Sequence, residues 1–152
     1  MKSPTAATSI VARIAAASVL LAATIGNGGP ASAADINVLS VAAMQSVFKE
    51  IAGDFQRTTG HRLVIRYATT GSITERLRRG EDPDLVISST QSISDLVQEG
   101  QISAHSQVTI SAGVSAGIPV DHLPSRPVGS LLHYLQGPKA IAAIKAKRMD
   151  VD

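Results

Sequence analysis

No cysteine occurs anywhere in the 152 residues, so a disulfide framework, a thiol nucleophile and a cysteine-bound zinc are all excluded, and the fold has to rest on packing alone. Tryptophan is absent too, and the only aromatic residues are two phenylalanines and two tyrosines, which leaves little on which nucleic-acid bases could stack. A surplus of positive charge is also missing once the chain is divided. Lys and Arg number 14 against 12 Asp and Glu, but Lys2 and Arg13 lie near the start and every acidic residue follows Ala33. The remainder is balanced, so no nucleic-acid partner is expected.

Long apolar runs are scarce as well. The stretch Ile14 to Ile25 is short for a bilayer span. It accompanies the basic Lys2 and Arg13 and precedes Ala31-Ser32-Ala33, a small-residue cleavage pattern. Residues 1–33 are therefore read as a signal peptide cut after Ala33, which predicts a periplasmic or secreted product. Residues 34–152 read as one α/β domain, with 34–102 as its first part and 107–152 as a returning strand and closing helices.

What is present is an alternation of strand and helix patterns. Ile36 to Val41 is a continuous β-branched run of the kind a buried parallel strand shows. Met44, Val47, Phe48, Ile51, Ala52 and Phe55 follow at helical spacing and stop at Thr59-Gly60. A second strand over Arg62 to Tyr67 leads to a helix expected over Ser72 to Arg79, opened by a Ser72/Glu75 capping box and closed by Gly80. Asp84 to Ser88 predicts a third strand, and Ser92 to Asp95 the start of a third helix ending at Gly100. Three strand-helix units in succession predict a parallel-type sheet with helices on both faces.

In such sheets ligands sit at the carboxyl ends of the strands, where the strand-to-helix turns gather. Those turns here are Val41 to Met44, Ala68 to Ser72 and Ser88 to Gln91. All three are small and carry neither lysine nor arginine. A glycine triad for a dinucleotide and a Gly-Lys-Ser or Gly-Lys-Thr phosphate loop are both missing, so no cofactor is expected. The amides of a helix's first turn point outward with partial positive charge, which suits a small oxyanion or a neutral polar solute. Ser88 and Ser89, at the third strand end, are placed to add hydroxyls.

Catalysis finds no support. His61, His105, His122 and His133 lack metal-ligand spacing, so no metal is expected, and no Gly-x-Ser-x-Gly elbow occurs. These histidines, with Asp54, Glu75, Asp82 and Asp84, read as solvated or structural. Arg76, Arg78 and Arg79 read as a basic helix end favoured by its dipole.

The run INVLSVAAMQSVFKEIAGDFQRTTGHRLVIRYATTGSITERLRRGEDPDLVISS resembles the first lobe of the periplasmic molybdate-binding protein family, from Ile36 to about Ile102. The resemblance implies one lobe of a type-II periplasmic binding protein fold, a molybdate or tungstate ligand bound as an oxyanion, and an ABC importer permease as partner. By that resemblance Thr70 supplies the second-turn hydroxyl, flanked by Thr69 and Gly71, while Ala43 stands where the family has a first-turn serine and offers only its amide. Downstream, Val108 to Ala116 reads as a crossing strand, and Ser125-Arg126-Pro127 opens a helix that Gly137 stops. HYLQGPKAIAAIKAKRMD is similar to the family's closing segment. A second lobe, on the order of 100 residues, is thereby expected to be missing from the middle. A weakened site follows, as does possible self-association through a Val108 to Pro119 face left without its neighbour.

Overall fold

The computed structural model describes residues 33–147. The signal peptide read over residues 1–33 lies, but for its last residue, outside the described ones. Five strands, β1 (Asp35–Val41), β2 (Arg62–Ala68), β3 (Leu85–Ser89), β4 (Val108–Ser111) and β5 (Val114–Gly117), form one sheet in the order β2-β1-β3-β5-β4. Five α-helices accompany them: α1 (Gln45–Thr59), α2 (Thr70–Arg78), α3 (Thr90–Gln98), α4 (Arg126–Leu135) and α5 (Pro138–Ala146).

β1 lies inside the sheet between β2 and β3, and its second half is covered on both faces, which is why Val38, Leu39 and Val41 there are apolar and, like Ile36, buried. It pairs in parallel with β2 on one side and β3 on the other. Moving outward to β2 and back to β3 reverses the crossover direction, so right-handed connections place α1 and α2 on opposite faces. Accordingly α1, α4 and α5 pack together, and α2 lies against α3. The α/β class and the two helical layers are as expected.

The strand read across Val108 to Ala116 is instead a hairpin. Gly113, at φ +80°, turns the chain, so that β5 runs antiparallel to both β3 and β4 and the sheet is mixed rather than wholly parallel. The apolar face expected to be left open there is closed, with Ile110, Ala116 and Ile118 buried. Exposed large apolar side chains occur instead just beyond, at Val120 and at Leu123, which is 89% exposed.

Two helix starts also differ from expectation, each by one turn. The cap of α2 is Thr69, whose side-chain oxygen accepts the Ser72 N–H at 3.3 Å. The cap of α3 is Ser89, which accepts the Ser92 N–H at 3.2 Å. Both strands feed directly into their helices, so the last extended residue with a side-chain oxygen takes the cap. Ser72 and Ser92 are already helical, and Glu75 pairs with Arg79 rather than with a cap.

Candidate functional site

The parallel register sets Val41 opposite Ala68 and Ser40 opposite Ile87. The residues that follow, Ala42-Ala43, Thr69-Thr70-Gly71 and Ser89-Thr90, therefore leave the sheet along one edge. β5 runs the other way and begins at Val114, opposite Ser89. The Ala112-Gly113 turn thus joins the same rim, and the Gly113 carbonyl accepts the Thr90 N–H at 2.9 Å.

Helix starts differ in what they leave unpaired. Ala42 to Met44 form a single 3₁₀ turn whose preceding residue, Val41, provides no side-chain cap. Ala42 and Ala43 are exposed, and their first-turn amides are left without a backbone acceptor. In α2 the Thr69 side chain takes the Ser72 N–H and its carbonyl takes that of Ile73, which leaves the first-turn amides of Thr70 and Gly71. In α3 the Gly113 carbonyl and the Ser89 hydroxyl already occupy the amides of Thr90 and Ser92. The third turn is thus largely closed by the hairpin, and the open donors concentrate at Ala42-Ala43 and Thr70-Gly71.

Hydroxyls sort in the same way. Thr74 pairs with Ser92 and Thr90 with Ser115, both at 3.0 Å, tying α2 to α3 and α3 to β5. Thr69 is committed to its cap. The Thr70 carbonyl accepts the Thr74 hydroxyl at 3.2 Å, and among the described residues the Thr70 hydroxyl itself takes no partner. Ser88 faces the interior one position before the Ser89 cap. It is wholly buried, and its hydroxyl makes no hydrogen bond. Gly71 is exposed and has open space where a Cβ would stand, so no side chain crowds that side of the turn.

No titratable side chain belongs to these rim segments, and the groups with displaced pKa values lie elsewhere. Hydrogen bonds from Tyr134, Lys139 and Arg57 hold the Asp54 carboxyl at about 2. Cavities of about 270 and 370 Å³ flank Asp54, and one of about 340 Å³ lies at the opposite sheet edge beside Gly80, Asp82 and Gln101. Among the described residues no group of three or more His, Asp or Glu is placed to hold a metal ion. His122 is not a free solvated residue. Its Nε2 meets Asp82 at 2.7 Å and its Nδ1 meets Asp84 at 3.4 Å, while Asp84 accepts the Asn37 N–H at 2.7 Å. The arginines ending α2 are ion-paired, Arg76 with Glu81, Arg78 with Glu99 and Arg79 with Glu75.

The structure therefore gathers Ala43, Thr69, Thr70 and Gly71 on one rim and sets Ser88 beneath it. Sequence reasoning missed the Gly113 carbonyl, whose signal was a lone glycine between two short β-rich runs, and it placed the α2 cap one turn late.

Residues 36–117 match the family described as bacterial extracellular solute-binding protein. Among solved structures, the chain is similar to the substrate-binding domain of a putative molybdenum ABC transporter from Clostridium difficile, with 18% identity and a TM-score of 0.49 over 52% of this chain and 35% of that one. The periplasmic molybdate-binding protein of Azotobacter vinelandii is similar at 22% identity and a TM-score of 0.48, over 50% of this chain and 33% of that one. A tungstate-binding protein of Desulfovibrio alaskensis G20 follows at 18% identity and a TM-score of 0.42, over 49% and 31%. The chain thus spans about a third of the length of each of these proteins.

Proposed function

Because this chain belongs to the bacterial extracellular solute-binding protein family, we propose that it is the solute-binding component of an ABC importer and that its solute is molybdate or a similar small oxyanion, such as tungstate. The observation that carries this reading is the pair of first turns with open amides, at Ala42-Ala43 without a side-chain cap and at Thr70-Gly71 beside the Thr69 cap, brought to one rim by the parallel register of β1 and β2. Peptide amides and the Thr70 hydroxyl offer donors to negative oxygen without a formal cation, and helix dipoles reinforce them. Thr69 orders the α2 start, and Ser88 stands below as the innermost hydroxyl. Such an arrangement binds rather than transforms its solute. Export through the 1–33 signal and docking on a permease belong to the same reading.

A one-lobe receptor lacks the donors that an opposing lobe contributes. Hydrogen bonds to a charged group are worth roughly 1.5–3 kcal/mol each, so losing two or three weakens capture by at least ~3 kcal/mol, on the order of a hundredfold. Calorimetric titration of the purified chain beginning at Ala34 with molybdate, tungstate and sulfate tests the reading. Weak but saturable heat with molybdate or tungstate is expected. Micromolar or tighter binding contradicts the weakening, and no heat at millimolar concentration overturns the oxyanion assignment.

A second reading, a vestigial or self-associating domain that binds no solute, draws on exposed Leu123 and Val120. A concentration-dependent dimer in sedimentation, with no heat on titration, favours it.

A further inference from the structure

We infer that α4 and α5 form a separable helical cap, hinged at residues 123–125 and latched onto α1 by a cluster centred on Asp54. The latch begins in the sequence of α1. Glu50 and Asp54 are four residues apart and so share one helical face. Across from them, the Tyr134 hydroxyl of α4 donates to Asp54 Oδ2 at 2.7 Å. The Lys139 ammonium at the start of α5 reaches both Asp54 oxygens, at 3.1 and 2.9 Å, and Lys147, just past α5, lies 3.5 Å from Glu50. Every acceptor in this set is on α1, and its partners across the junction come from the C-terminal pair. Arg57, at 3.1 Å from Asp54, braces the carboxylate from within α1. Among the described residues that line the two adjoining cavities, His133 is the remaining titratable group.

The apolar part of the junction has the same boundary. α4 and α5 bury Val128, Leu131, Leu135, Ala140, Ala143 and Ile144, and they pack chiefly on each other and on α1. The Tyr134 ring meets Phe55 edge-on, with centroids 5.3 Å apart. The hinge is delimited on both sides. His122 is pinned to Asp82 and Asp84 at the foot of β3, Ser125 caps α4, and Leu123 between them stands in solvent. Opening at this hinge uncovers α1 and leaves all five strands paired.

Amide hydrogen exchange on the chain beginning at Ala34, resolved by segment, tests the latch. In Asp54→Asn at neutral pH, amides of residues 126–146 are expected to exchange at least tenfold faster than in the wild type, while those of β1 to β3 keep their protection. Tyr134→Phe, which keeps the ring and removes the donor, is expected to move the same segment in the same direction by less. Equal acceleration in sheet and cap, unchanged protection of residues 126–146, or failure of Asp54→Asn to fold each overturns a separable cap. None of these outcomes depends on oxyanion binding.

Discussion

At the scale of single residues, Thr70 and Ser88 carry opposite consequences for their hydroxyls. Thr70 leaves its hydroxyl unengaged at an accessible helix start, and the carbonyl bond with Thr74 does not depend on it. Thr70→Ala is therefore expected to leave thermal stability nearly unchanged and to weaken molybdate binding by about tenfold or more, since a hydrogen bond to a charged group is lost. Calorimetry with parallel thermal melts checks both halves. Ser88 is buried with an unpaired hydroxyl, an arrangement that costs roughly 1–3 kcal/mol of desolvation. Ser88→Ala is expected to raise the denaturant midpoint at constant slope, and a lowered midpoint would show that the hydroxyl is satisfied in solution. The two serve the proposed site differently, and sequence reasoning had no means of telling them apart. Thr70 follows a strand and opens a helix, whereas Ser88 precedes a strand's last residue, and only packing shows which of the two hydroxyls is enclosed.

At the scale of elements, the first three strands and the five helices were readable because most are bounded by a glycine or a hydroxyl and their apolar residues fall at the right period. Gly60, Gly80 and Gly100 all end helices with positive φ, as their positions implied. The caps of α2 and α3 were misplaced by one turn because Ser72/Glu75 satisfies the pattern of a capping box, whereas the cap is chosen by where the strand stops. The β4–β5 hairpin was hidden because Ala112-Gly113 interrupts a run whose small and β-branched residues continue on both sides. Gly117, near the end of β5, has a role that no local pattern displays: a Cβ there would stand 2.4 Å from the Cγ2 of buried Ile102. Gly117→Ala is expected to destabilise by about 1–3 kcal/mol through overpacking, measured by urea unfolding, and to cost less in an Ile102→Ala background, where that Cγ2 is absent.

At the scale of the whole molecule, stability rests on one core and on ion pairs spread over its surface, with no covalent cross-link to fall back on. Asp54 is held at about 2, first by the Tyr134 hydrogen bond and then by those of Lys139 and Arg57. The Arg62 hydrogen bond lowers Asp35, and that of Arg78 lowers Glu99. A carboxyl lowered on folding stabilises the native state above its unfolded pKa, near 4, and that contribution is lost as pH falls through the folded value. Stability is therefore expected to decline between about pH 4 and pH 2, and Asp54→Asn to remove part of the slope in acid unfolding followed by circular dichroism. Tyr134 moves the other way. Burial, then its bond to Asp54, pushes its hydroxyl up to about 12, so its contribution is complete below pH 10 and is lost as pH rises towards 12. Absorbance at the tyrosinate band is expected to rise fully only beyond the range of a free tyrosine, because burial also raises Tyr67. Opposing signs at the two ends leave a broad neutral plateau.

The rim's freedom from titratable side chains has a practical corollary for capture. Peptide N–H donors neither gain nor lose charge across that plateau, so affinity ought to stay level with pH until the solute itself takes up a proton. Chemical acylation of every lysine in the folded chain ought likewise to leave oxyanion binding intact, because the proposed rim contains no amine side chain.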